Sequence, residues 1–266
     1  MGDKFMTKIK FAVRSDVGKV RKNNEDNFYV NGIFMDEAER ENPFFMSGIA
    51  ESPCIFAVCD GMGGEDCGEL ASFMTVKTLA EHSDEILRGD YETVEAFVKD
   101  ANKKLIDIMQ AQNIQTGTTL AMATVSKNYF TLYNLGDSRI YRLNGDTLIL
   151  STDDHTITYD MIRAGQLDPR KAKTHPYRNF LTRFVGCGED ENKIAPDVYG
   201  LVDVNENRRI LICSDGLTDM LTHSELASIM KCYSEVPDTV NALVDAALFK
   251  GGVDNVTCIV LEVSDE

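Results

Sequence analysis

The chain predicts an α+β fold: two antiparallel β-sheets packed face to face as a β-sandwich, flanked on both outer faces by helix pairs. Three observations carry this. Strand-like runs come in series, interrupted by paired helical stretches rather than alternating with single helices. The segment Tyr91–Gln112 has one apolar stripe at helical spacing: Val94, Phe97, Val98, Ala101, Leu105 and Ile108. Two apolar, β-branched runs end in the same step, Ile55–Cys59 before Asp60-Gly61 and Ile210–Cys213 before Ser214-Asp215-Gly216. Runs of that length and composition read as buried strands.

In chain order, Lys8–Arg14 alternates and reads as an opening strand, and Asn27–Val30 as a second. Residues 36–53 are polar and irregular, with Pro43 and Pro53, and read as a loop or local insertion whose Phe44-Phe45-Met46 cluster tucks against the body. A helix over Cys67–Glu81 follows a Gly63-Gly64 turn, and Tyr91–Gln112 is the next helix. Strands are expected at Thr118–Val125, Tyr129–Leu135, Arg139–Leu143 and Thr147–Leu150. The dipeptide Asn144-Gly145 accepts positive φ and makes the last two a hairpin. Asp154–Arg183 is weakly patterned, with a short helix near Thr158–Ala164. Strands at Val198–Val204 and Arg209–Cys213 precede helices at Ser224–Lys231 and Asp238–Lys250. Gly251-Gly252 stops the second helix, and Val256–Val263 closes the chain. Neither a linker nor a repeat beyond the paired Asp-Gly peptides divides this order, so residues 1–266 read as one domain.

Composition narrows the function. The net charge is -16, from 43 acids against 27 bases. That opposes a nucleic-acid binder, which needs a basic face, and docking on an anionic membrane. The seven Cys are odd in number and form no Cys-x-x-Cys pair; several lie in apolar runs, which implies core packing in a reducing compartment. No stretch approaches the ~18 apolar residues of a membrane span, and Met1–Lys10 lacks a signal-peptide core. Met1-Gly2 is followed by Met6, where a myristoylation motif has Ser or Thr. A cytoplasmic monomer is expected.

The acids at strand ends carry the chemistry. Glu25-Asp26 opens one strand, Asp60 and Asp215 end two others, and Asp254-Asn255 precedes the last. Crowded carboxylates repel one another unless cations hold them, and an all-oxygen set suits hard divalent ions. Asp60, with Asp26 or Glu25 and Asp215, could bridge two Mg²⁺ or Mn²⁺ ions, with the Gly61 carbonyl as a further ligand. A metal pair activates water for in-line attack at phosphorus. Arg21, five residues before Asp26, reaches the same mouth, and its guanidinium suits a phosphate. Asp137, between two strands, is a candidate for a further, weaker ion; Arg139 beside it reads as half of a structural ion pair. Asp219 shares a side with Asp215 if the intervening turn is helical. Asp154-His155 reads as a strand-end pair. The four His form no cluster, which argues against zinc, and Ser214 lacks the nucleophile elbow. Thr116–Thr119 lacks the Gly-Lys-Ser/Thr element of a P-loop.

From about Phe11 to Val263 the chain resembles the metal-dependent protein phosphatases of the 2C type, the PPM family. The resemblance rests on an ordered set: Arg21–Asn27, Val58–Gly64, Gly117–Leu120, Leu135–Arg139, Asp154-His155, Leu181–Arg183, Ser214–Asp219 and Asp254–Thr257. It implies hydrolysis of phosphoserine and phosphothreonine on proteins with two Mn²⁺ or Mg²⁺ ions and room for a third. It implies that Asp26, Asp60, Asp215 and Asp254 bind the pair with the Gly61 carbonyl, and that Glu25 acts at one remove or through water. Asp137 and Asp219 resemble the residues of the additional ion, Arg21 the phosphate clamp, and residues 156–183 a flap subdomain beside the site. Met62 departs from the His that many eukaryotic members have there, and Met cannot protonate a leaving group. This form looks like the compact bacterial branch, which suggests a Ser/Thr kinase as cognate partner. A relative that acts on one regulator of the anti-anti-sigma type keeps the same site. A binding module without turnover should have lost ligands, and none is missing; a nuclease is opposed by the charge.

Overall fold

The apolar runs are continuous rather than alternating because their strands are covered on both faces. Along one strand, Phe56 and Val58 point into the space between two sheets, while Ile55, Ala57 and Cys59 point out against helices. The structure is a computed structural model and describes residues 6–36, 42–63 and 67–264. The elements in order are β1 (Lys8–Asp16), β2 (Asp26–Val30), β3 (Phe44–Glu51), β4 (Cys54–Gly63), α1 (Gly68–Arg88), α2 (Tyr91–Gln112), β5 (Thr116–Thr118), β6 (Leu120–Val125), β7 (Tyr129–Leu135), β8 (Arg139–Asn144) and β9 (Thr147–Leu150). They continue with α3 (Ile157–Arg163), a 3-10 helix (Pro169–Thr174), α4 (Glu191–Ile194), β10 (Asp197–Asp203), β11 (Arg209–Cys213), α5 (Asp215–Met220), α6 (His223–Cys232), α7 (Val236–Phe249) and β12 (Val256–Val263).

One sheet runs β3-β1-β12-β11-β8-β9; the other runs β10-β7-β6-β4-β2, with β5 pairing the far end of β4. Every pairing is antiparallel. The sheets enclose Phe11, Phe28, Phe56, Phe130, Ile140, Ile212 and Ile259. On one outer face Val76 and Leu79 of α1 and Val94, Phe97, Val98, Ala101 and Leu105 of α2 pack on Tyr29, Ile55 and Met122. On the other, Leu217 of α5, Leu226 and Met230 of α6 and Val240 and Leu243 of α7 cover Ala12, Leu211 and Val260. The expected sandwich with helix pairs on both faces is therefore the observed one, and α2 has the expected bounds. Its side chain cap is Asp90, which accepts from the Glu92 amide at 3.1 Å. α6 begins on a capping box between Thr222 and Glu225.

Four expectations need correction. The segment 36–53, read as a loop, contains β3, an edge strand paired with β1 from Lys8↔Glu51 to Ser15↔Phe44; residues 37–41 lie outside the described ones. Phe44 and Met46 do tuck against the inter-sheet core, with the Phe44 ring 4.9 Å from that of Phe28, but Phe45 faces solvent. The strand expected over Thr118–Val125 is broken at Thr119 into β5 and β6. The hairpin loop is Gly145-Asp146 rather than Asn144-Gly145; Gly145 alone takes positive φ (54°), the pattern of a turn with glycine first. β4 does not leave the sheet at Asp60-Gly61 but runs on to Gly63, where it pairs β5. Gly64 of the expected turn, and Met1-Gly2, lie outside the described residues.

All seven cysteines are free thiols; Cys54, Cys59, Cys213 and Cys258 are buried, and burial pushes the Cys54 and Cys258 thiols up to about 12. Among the described residues no helix is long and apolar enough to cross a membrane. Replacing Phe97, fully buried between α2 and its sheet, by alanine is expected to lower unfolding free energy by about 3–5 kcal/mol in urea titration; a change below about 1 kcal/mol would contradict this packing.

Candidate active site

The strand-end acids gather at one end of the sandwich because the two sheets bring their ends together there. Asp26 opens β2 and lies directly opposite Asp60 on β4. Asp215 starts α5 immediately beyond β11, and Asp254 lies just before β12, the neighbour of β11. Ser214 ties the sheets to each other. Its hydroxyl donates to Asp26 Oδ2 at 2.8 Å and accepts from the Thr257 amide at 3.0 Å, while its own amide donates to the Thr257 carbonyl at 3.0 Å. Asn255 does the same for the loops: its amide side chain donates to the Val17 and Asn23 carbonyls, and its oxygen accepts from the Glu25 amide at 2.8 Å.

Both Asp-Gly peptides need glycine for close approach, not for a positive φ. A Cβ on Gly61 would stand 2.0 Å from the Gly68 carbonyl oxygen and 2.5 Å from that of Glu25; one on Gly216 would stand 1.9 Å from that of Asn255. Backbone packs on backbone there, which sets Asp60 beside the Glu25-Asp26 segment and Asp215 beside Asp254. Thr119 completes the floor: its hydroxyl accepts from the Asp60 amide at 3.0 Å and bonds Ser138 at 2.7 Å.

Crowding is visible in the acidities. Burial and the neighbouring Asp215 and Asp254 carboxylates push Asp26 up to about 7, against hydrogen bonds from Thr257 and Ser214. Asp60 is raised well above the usual carboxylate range by burial and by Asp26, Asp215, Asp137 and Asp254. Asp137 is raised by burial and Asp215. Asp215 rises to about 6 through burial, Asp219 and Asp254, offset by a hydrogen bond from Asp60. Glu25 is raised chiefly by burial, against the pull of Arg21.

Arg21 reaches this mouth and is half exposed (50%); its Nη2 donates to Asp254 Oδ2 at 2.7 Å. The Arg139 guanidinium pairs with both oxygens of Asp154, at 2.8 and 2.5 Å, the expected structural pair. The Asp154-His155 pairing is corrected by this: Asp154 is held by Arg139, while buried His155 faces Asp197 at 3.0 Å and Arg183 at 2.9 Å. His155 Nδ1 accepts from the Gly136 amide at 3.0 Å, which braces the turn that carries Asp137. Sequence reasoning missed the links through Ser214, Asn255, Thr119 and His155. Their only sequence signal is membership of the quoted motifs. α5 is helical from Asp215 to Met220, so Asp215 and Asp219 share a side, and both line one wall of a cleft of about 450 Å³ with Asp137. The cleft is also lined by Thr158, Tyr159 and Ile162 at α3 and by Lys173, Arg178 and Asn179.

Among the described residues no three His, Cys, Asp or Glu side chains stand, as they lie, in positions that hold a metal ion. Asp254 is turned to Arg21, Asp26 to Ser214, and Asp60 to Asp215. In donor type the site nevertheless fits hard divalent cations: its groups are oxygens, and their raised pKa values record burial and uncompensated negative charge.

The family model for protein phosphatase 2C matches residues 43–249. The chain is 30% identical over 256 residues to the serine/threonine phosphatase stp of Listeria welshimeri, 94% of each protein being covered. Among solved structures it superposes on the serine/threonine phosphatase PstP/Ppp of Mycobacterium tuberculosis with a TM-score of 0.79 at 29% identity, over 97% of this chain and 99% of that one. A PstP catalytic domain solved in complex with two manganese ions matches with a TM-score of 0.78 at 28% identity, over 97% of this chain and 100% of that one. The chain belongs to the protein phosphatase 2C family. It is a serine/threonine protein phosphatase of that type.

The raised pKa values set the pH behaviour of the metal-free protein. Asp26 and Asp215 titrate near 7 and 6 when folded but near 4 when unfolded, so the folded state holds their protons more tightly. Their contribution to stability is complete below about pH 4 and is lost as pH rises through 6 to 7. Chelator-treated protein should therefore show a falling Tm between pH 5 and 8, and Asp26→Asn should flatten that fall. A Tm that climbs through this window would contradict the crowded cluster.

Proposed function

We infer that this chain hydrolyses phosphoserine and phosphothreonine esters on proteins, using Mn²⁺ or Mg²⁺ held by Asp26, Asp60, Asp215 and Asp254 with the Gly61 carbonyl. The observation that carries the reading is the gathering of these acids from both sheets, with Arg21 on Asp254 and with Asp215 lining a cleft. When bound, a pair of such ions supplies an activated water and neutralises phosphate charge. A family relative solved with two manganese ions supports the number. Glu25 lies beside this set, and Asp137 and Asp219, which line the cleft, would hold a third, weaker ion.

The residues of the chain do the rest. Ser214 and Thr257 orient Asp26, and Thr119 holds the backbone of Asp60. Arg21 is the phosphate clamp: its charged fork, now on Asp254, is exposed enough to take a phosphate dianion instead. Met62 offers no proton, so the leaving alkoxide must draw on water or on metal charge. The whole chain acts as one catalytic domain. Residues 156–183 serve as a flap subdomain over the cleft, anchored at one end by the Thr156↔Leu181 bridge. The substrates are phosphorylated proteins, the natural counterpart is a Ser/Thr kinase, and the enzyme works as a cytoplasmic monomer.

Asp215→Asn should lower turnover of a phosphothreonine peptide by more than about 100-fold, since even the partners of metal ligands are worth about 10–100-fold. Its manganese uptake by calorimetry should fall in parallel while the far-ultraviolet circular dichroism is unchanged; full turnover would remove Asp215 from the site. Arg21→Ala should raise KM about 10-fold with kcat nearly kept, because binding phosphate is what it supplies. An unchanged KM would exclude it as the clamp.

A further inference from the structure

The cleft that holds Asp137, Asp215 and Asp219 also carries cations outside the metal site. Lys173, in the 3-10 helix, and Arg178, just beyond it, line the same cleft as Asp137, Asp215 and Asp219. Both are exposed, and neither has a carboxylate partner among the described residues. Several other charges nearby are already paired. Arg170 is taken up by Asp168 at 2.6 Å, Asp154 by Arg139, and Asp153 accepts from the Tyr159 hydroxyl. Next to Arg178 the segment exposes two aromatic rings, Tyr177 (51%) and Phe180 (55%), packed edge to face at 5.4 Å. Unpaired cations and open rings at the rim of a catalytic cleft, in a chain of net charge -16, form a surface suited to an anionic partner.

We propose that Lys173 and Arg178 form a recognition subsite that selects phosphoprotein segments bearing Asp or Glu beside the phosphorylated Ser or Thr. This rests on the phosphatase reading above. The phosphoryl group enters among Arg21 and the acids, while the flanking chain runs along the cleft, where the free cations stand. Screening decides between the patch and the protein's overall field. The Debye length is about 8 Å at physiological ionic strength, so cations in contact with the flanking residues outweigh the negative surface farther off. Without such a subsite, the chain's net charge would favour basic peptides.

The experiment compares three phosphothreonine peptides, identical except for acidic, neutral or basic residues on either side of the phosphothreonine, with the manganese-loaded full chain. The acidic peptide should show kcat/KM about 3- to 10-fold above the basic one, the range that two exposed ion pairs supply, and added salt should shrink the difference. In the Lys173→Glu/Arg178→Glu double variant the order should reverse, with Lys173→Gln and Arg178→Gln intermediate. Equal rates for the three peptides, a basic preference in the parent chain, or an acidic preference kept by the double variant would each overturn the subsite. Turnover of p-nitrophenyl phosphate, which has no flanking residues, separates the two layers: if the parent chain hydrolyses it while peptide charge has no effect, only the subsite falls. If the parent chain hydrolyses neither it nor the peptides, the phosphatase reading falls as well.

Discussion

Crowding of negative charge at one end of the sandwich is the constraint on which the rest depends. Asp26 is fully buried, and burial together with neighbouring carboxylates raises the pKa values of Asp26, Asp60, Asp137 and Asp215. A fold does not place carboxylates this way for stability, since without a counter-charge they must either hold protons or repel. The arrangement makes sense as half of an ionic structure completed by divalent cations. Arg21 on Asp254 and the Ser214 hydroxyl on Asp26 supply part of that counter-charge.

The frame resists this repulsion through backbone contact rather than side-chain bulk. Gly61 and Gly216 allow carbonyl oxygens of neighbouring segments to come where a Cβ would sit, and Asn255 and Ser214 cross-link the segments with hydrogen bonds. Behind them lie three apolar layers, one between the sheets and one under each set of helices. Rigid strands thus present the acids, while the more irregular stretch with α3 and the 3-10 helix lines the same cleft as Asp215. The buried acids stand on the packed part, and the proposed recognition subsite on the more irregular one.

Much of this was legible because it depends on local pattern. Buried strands such as Ile55–Cys59 and Ile210–Cys213 are marked by uninterrupted apolar runs, and α2 by its stripe and by Asp90 as cap. The edge strand β3 was not, because its apolar residues are split by Gly48 and flanked by Pro43 and Pro53, and only pairing with β1 gives it an extended shape. Asp154 next to His155 suggested a pair, yet the two, in the connection between β9 and α3, turn to different partners. Arg139 and Asp197, 15 and 42 residues away, are the partners the fold provides.

The sequence by itself determined the layered class, most element positions, the oxygen-only donor set and the family, because strand and helix periodicity and ordered motifs are properties of the chain read along its length. Only the tertiary structure decided that Asp26 stands opposite Asp60, that two glycines serve close approach rather than turning, and that Lys173 and Arg178 share a cleft with Asp215. Those are distances between residues remote in sequence, and they exist only once strand register and sheet packing have been set.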